Sequence, residues 1–140
     1  IPDSFKTDLL KGTFNFDSSG GSTFKLALYT DISGLTTSTT AFTTSNEVGT
    51  SGTSYSSGGN TLTNNGVAIA SNIAFVDFAD LTFSSVTLSA VGALIYKSGG
   101  SNEAVLVLDF GGTKTATNGD FVVQFPTASS SAAIIRLGNA

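Results

Sequence analysis

The segment IAFVDFADLTFSSVTLSAVGALIYK, residues 73–97, is built almost wholly of strand patterns. Aromatic and β-branched residues recur at every second position, the period of a pleated, half-buried strand rather than the 3.6 of a helix. After Phe83 the alternation slips by one residue, with Val86 and Leu88 continuing the apolar row. That slip predicts a β-bulge at Ser84-Ser85, where one extra residue enters the strand. The segment thus predicts strands over Ile73–Phe78, Leu81–Ser89 and Val91–Lys97, with no helix between them.

Working outward, further strands are predicted at Glu103–Phe110, Phe121–Phe125 and Ala132–Leu137. Turn clusters at 98–102, 111–113 and 117–120 separate them. Upstream, Thr13–Asp17 and Thr23–Thr30 flank Ser18-Ser19-Gly20-Gly21 and predict a hairpin, with Phe24, Leu26 and Leu28 on one face and Lys25 on the other. Eight or more short strands without helical crossovers predict an all-β fold. The expected form is an antiparallel β-sandwich, jelly-roll-like, forming a single domain over 13–140.

Two stretches differ. Between Ile32 and Ser71 the sole charged residue is Glu47, and Leu35, Phe42, Val48, Tyr55 and Leu62 stand as isolated apolar anchors. Forty residues exceed a plain loop, so short edge strands, a brief helical turn or an excursion are predicted, with disorder competing only at 49–59. Residues 1–12 form a separate N-terminal arm or short helix, with Ser4 as cap and Gly12 as stop. Phe5, Leu9 and Leu10 are read as one apolar stripe and are the candidate interface residues. A helix this short is not stable alone. The expectation is that it docks outside its own domain, whose strands can close a core without it.

Composition narrows the function. Ser and Thr exceed a quarter of the chain, while charged residues make up 11% and the net charge is −4. The six basic residues are scattered, which argues against nucleic acid and against an anionic membrane surface. No apolar run approaches a membrane span. Ile rather than Met at position 1 predicts that residue 1 is not the translation start.

Cys and His are both absent, so the usual catalytic triads and the common zinc ligands are missing. Asp77 and Asp80 are the most visible carboxylate pair. A glycosidase would add an aromatic-lined cleft, and the chain has no Trp, so turn hydrogen bonds explain the pair better. Asp31, Asp109 and Asp120 also sit near predicted strand ends, without the spacing of a calcium loop. The Gly-rich runs at 58–60 and 111–114 lack the strand–loop–helix setting of a phosphate cradle. The expectation is a non-enzyme with no cofactor and no metal.

Several segments, in order, carry a resemblance: LLKGTFNF (9–16), FKLALYT (24–30), TTAFTTSNEV (39–48), YSSGGNTL (55–62), VDFAD (76–80), ALIY (93–96), VLDFGG (107–112) and FPT (125–127). Together they resemble small virion structural proteins of tailed bacteriophages, including phages of marine bacteria. The resemblance implies a capsid decoration (cement) protein on the capsid exterior, assembled in the host cytoplasm. Its implied partner is the major capsid protein, and its implied state is a homo-oligomer, most simply a trimer. The other reading is a tail or fibre component binding host-surface glycan, with Tyr29, Tyr55 or Tyr96 as a stacking platform.

Overall fold

The structure is a computed structural model that describes residues 1–139; Ala140, the end of the expected domain, lies outside the described residues. One helix, α1 (Asp3–Leu10), precedes seven strands. These are β1 (Phe24–Tyr29), β2 (Asn60–Thr61), β3 (Asn64–Ala70), β4 (Ile73–Phe78), β5 (Leu81–Lys97), β6 (Ala104–Val123) and β7 (Ile135–Leu137). They form two antiparallel sheets, ordered β2-β1-β5-β6 and β3-β4-β7. The fold is all-β and sandwich-like.

The bulge expected at Ser84-Ser85 is present. Register moves from Phe83↔Phe121 to Val86↔Gly119, three residues of β5 against two of β6, and Ser85 takes φ 54. The turn signals at 111–113 and 117–120, however, do not end strands. β6 runs through both as further irregularities, so the strands expected at 103–110 and 121–125 are one. From Asp109 to Lys114, β6 advances five positions against the two from Gly92 to Ala90 on β5. Gly111, Gly112 and Asn118 adopt the positive φ that such bulges need. Likewise 81–89 and 91–97 fuse into β5.

The expected hairpin of 13–17 with 23–30 does not form. β1 pairs instead with β2 and β5, and 13–17 folds back as a loop closed by Ser22 N–H donating to Asn15 O at 2.8 Å. The reason is aromatic packing. Phe14 and Phe16 turn inward, and Phe16 stacks on Phe24 at 4.6 Å with ring planes 5° apart.

β1 is buried on both faces. Phe24, Leu26 and Leu28 enter the main core, while Ala27 and Tyr29 pack on the opposite side with Leu94, Tyr96 and Ala104. Ile32, Leu35 and Phe42 roof that second cluster. The long polar stretch is therefore mostly a lid over the back of the first sheet, and its isolated apolar residues are the lid's pegs. The 49–59 part is ordered too, with Tyr55, Gly58 and Gly59 buried.

The N-terminal helix forms as expected, but it belongs to the core. Phe5 is 2% exposed and sits 5.0 Å from Phe14 and 6.2 Å from Phe16, centroid to centroid. Pro2, not Ser4, occupies the N-cap; the Ser4 hydroxyl donates to Thr39 O at 3.2 Å. Gly12 does end the helix. With φ 79 it donates to Leu9 O while Thr13 N–H reaches Asp8 O, the paired bonds of a Schellman motif.

Candidate docking face

The three-stranded sheet has an apolar face that runs past the core. Ser71 and Asn72, at φ 51 and 64, make the two-residue turn joining β3 to β4. Val67 lies opposite Val76, which lies opposite Ile135, and these three share one face because paired residues do. Val76 and Ile135 are buried in the main core. Two residues further along, the same row continues as Ile69, Ala74 and Leu137. There the core has ended: Ile69 is 74% exposed and Leu137 62%, and Val67, on the outer strand of the first row, is already 56% exposed. The opposite face carries Ala68, Phe75 and Arg136, and no charged residue occurs between Val48 and Val76.

The three candidate interface residues do not form one stripe. Phe5 and Leu9 pack on the core, whereas Leu10 is 87% exposed. Helix geometry explains the split: at ~100° per residue, positions five apart lie ~140° apart, so Leu10 cannot share the face of Phe5. Phe5 is committed within its own domain, and Leu10 alone is presented to solvent. Val67, Ile69 and Leu137 went unmarked by sequence pattern. Their signal was the run GVAIASNIAF (66–75), two uncharged apolar stretches around a Ser-Asn step, set within a region that composition reads as a surface excursion.

The tyrosines offer no platform for a sugar. Tyr29, Tyr55 and Tyr96 are all buried. They pin the 43–59 segment to the first sheet. The Tyr29 hydroxyl donates to Thr43 O at 2.6 Å, Tyr96 donates to Gly58 O at 2.6 Å, and Tyr55 donates to Glu47 Oε2 at 2.7 Å. Glu47 also accepts from Gly58 N–H and from the Ser57 hydroxyl. Burial above all, with the Glu47 carboxylate close by, pushes Tyr29 and Tyr55 far above the ordinary phenol range and keeps them neutral donors.

The carboxylates cap backbone. Asp80 accepts from Phe125 N–H at 2.8 Å, Asp109 from Gly111 N–H at 2.8 Å and Asp31 from Ser33 N–H at 2.8 Å. The Ser33 hydrogen bonds hold Asp31 below its ordinary value. Asp77 differs: it is 2% exposed, Oδ1 accepts from Phe78 N–H, and Oδ2 has no partner. Burial pushes its pKa up, the backbone at Phe78 and at Ile134 offsets part of that, and Asp80 adds to it. Among the described residues no three metal-ligating side chains gather, and no helix is long and apolar enough to cross a membrane. An open groove of about 610 Å³ follows β6 between Leu108 and Gln124, with Asp109, Lys114 and Asp120 among its lining residues. It contains no His or Cys to serve as base or nucleophile.

Comparison of the chain with known protein families, with characterised proteins and with solved structures finds no match.

Proposed function

We propose that this chain is a virion structural protein of the capsid-decorating kind, held to the assembled shell of major capsid protein by the face of its small sheet. The observation that carries the reading is the row Val67, Ile69, Leu137, three exposed aliphatic side chains gathered on one face of one sheet, whereas the other exposed ones, Ile1, Leu10 and Val122, lie on other elements. Such a row gains most of its hydrophobic free energy only when something covers it.

Magnitude favours a repetitive partner. Seven residues at ~3.4 Å by three strands at ~4.8 Å give a face of at most roughly 340 Å². A stable pairwise interface uses about 800 Å² per partner. One face on one isolated capsid subunit is too small to hold, whereas a seam between capsomers contacts the decorating domain from two sides. Binding the shell and not its free subunits then stabilises the shell by mass action, with no bond-making step.

The test is a reconstruction of the intact particle that carries this protein. The expected result is density on the outer shell with β3, β4 and β7 against a capsomer seam. Density at the tail tip or baseplate, or on the shell with this sheet facing solvent, would overturn the reading.

A further inference from the structure

β3 is the outer strand of its sheet, and only its first part is covered. Asn64 Nδ2 donates to Phe16 O at 2.9 Å, and a Cβ on Gly66 would meet the Ser18 side chain at 3.3 Å. Beyond Gly66, the stretch Val67–Ala70 pairs with β4 on one side, and no other described segment hydrogen-bonds its second side.

The turn fixes which backbone groups are free. A two-residue turn makes its flanking residues, Ala70 and Ile73, a hydrogen-bonded pair, and such pairs alternate along an antiparallel ladder. Ala70 and Ala68 therefore bond to β4, while the N–H and C=O groups of Val67 and Ile69 point outward.

We propose that β3 is a self-pairing strand: two copies of the chain join through Val67–Ala70 as antiparallel neighbours, making one six-stranded sheet. The register that fits is centred on Ala68. It sets Val67 opposite the second copy's Ile69, and Ile69 opposite its Val67, so all four outward-pointing groups on each copy find partners in four main-chain hydrogen bonds. Ala68 meets Ala68 of the second copy as the closer, non-hydrogen-bonded pair, about 4.5 Å between Cα atoms.

Two further features select a second copy over another occupant. The chain is at −4, yet no charge lies between Val48 and Val76, so two copies meet here without facing like charges. A strand bearing Lys or Glu would instead place an unpaired charge on the Val67–Ile69 row. The pairing also closes. The sheet's other edge, β7, is three residues long and carries exposed Arg136, features that blunt an edge. The product is a two-fold dimer rather than a fibre, and any three-fold ring of copies uses another surface.

The inference goes beyond the capsid reading and does not depend on it. Its consequence for docking is one of area, because two faces side by side approach the standard interface size that one face misses. The edge contact itself is small, so dimerisation is weak and concentration-dependent.

Sedimentation equilibrium of the purified chain from about 10 µM to about 1 mM spans the range of such small interfaces. Monomer–dimer exchange is expected, with slower hydrogen exchange at the Val67 and Ile69 amides as concentration rises. Ile69→Pro removes an outward N–H and none of the bonds to β4, a placement edge strands tolerate. It should lower the association constant at least tenfold with an unchanged melting curve. If Ile69→Pro impairs folding, Ile69→Lys keeps the ladder and sets an ammonium on the pairing row, with the same expected loss. A wild-type chain that stays monomeric throughout, or association unaffected by the tolerated variant, overturns the proposal.

Discussion

The two sheets treat their outer faces in opposite ways. Around β1 and the second half of β5 the four-stranded sheet is covered twice: α1 and the Phe14–Phe16 loop lie on one side, and the Ile32–Phe42 lid on the other. The three-stranded sheet is covered only where Val76, Phe78 and Ile135 meet the core, and its far end stands bare. Shortage of chain does not explain this, since a long polar segment roofs residues as small as Ala27. At about 25 cal/mol per Å², an uncovered Val, Ile and Leu forgo stabilisation that the same lid could have supplied. The difference separates a sheet that builds the domain from a sheet that presents a surface.

Substitutions should divide along that line. The largest effect is expected at Gly59, where φ is +75 and an added Cβ would collide with the Leu26 carbonyl in the middle of β1. Gly59→Ala should cost more than about 4 kcal/mol, the exceptional end for a single change. Denaturant titration at constant slope would check it, and a loss under 1 kcal/mol would mean that β1 and the 56–59 turn can separate freely. Next comes the helix, which contains the same contrast in miniature. Phe5→Ala should cost about 3–5 kcal/mol, as for other buried Phe, and Leu10→Ala should stay within about 0.5 kcal/mol. Equal effects from the two would show that α1 is an appendage rather than part of the covered sheet.

A smaller effect, of opposite sign, is expected at Asp77. Its folded-state pKa is raised by burial, so the native state holds the proton more tightly than the unfolded chain does. Native stability therefore falls as pH rises from the ordinary Asp value towards the raised one, and the penalty persists above it. Asp77→Asn removes the charge. The variant should match the wild type in acid, below the ordinary value of 3.8, and melt higher at neutral pH. A wild type that is the more stable of the two at neutral pH would mean that Asp77 is ionised and satisfied in the fold.

What was legible in the sequence follows the physics of each region. Period-two alternation marks β4 with its full extent, and it places the bulge at Ser84-Ser85 because one face of the first half of β5 is solvated and the pattern survives there. The two long strands read as four in the sequence, since Gly111-Gly112 and Asn118-Gly119 carry the same residues whether they end a strand or bulge it. Asp80 is legible as an exposed backbone acceptor at a turn, but its partner, Phe125 N–H, lies 45 residues away and is set by the fold. The lid is not legible, because its pegs lie many residues apart and are specified by the sheet they cover. The bare face was hidden for a related reason: Ile69 reads as one more inward residue of an alternating strand, and only the position where the core stops makes it a surface.

The smallest expected effect on stability is the one that bears most directly on that surface. Val67, Ile69 and Leu137 are mostly exposed, so replacing all three by Thr removes apolar area that folding never buried. Thr keeps the β-branched shape and strand preference at the two β3 positions. The triple variant should melt within the range of ordinary surface substitutions, about 0.5 kcal/mol per site. It should nevertheless lose most of the native protein's binding of a hydrophobic dye, which reports exposed apolar area. In particles, its occupancy on the shell should fall. A variant that unfolds would show that this end of the sheet is part of the core after all. One that keeps full dye binding and full occupancy would show that the surface that matters lies elsewhere, with exposed Leu10 or Val122 the next residues to change.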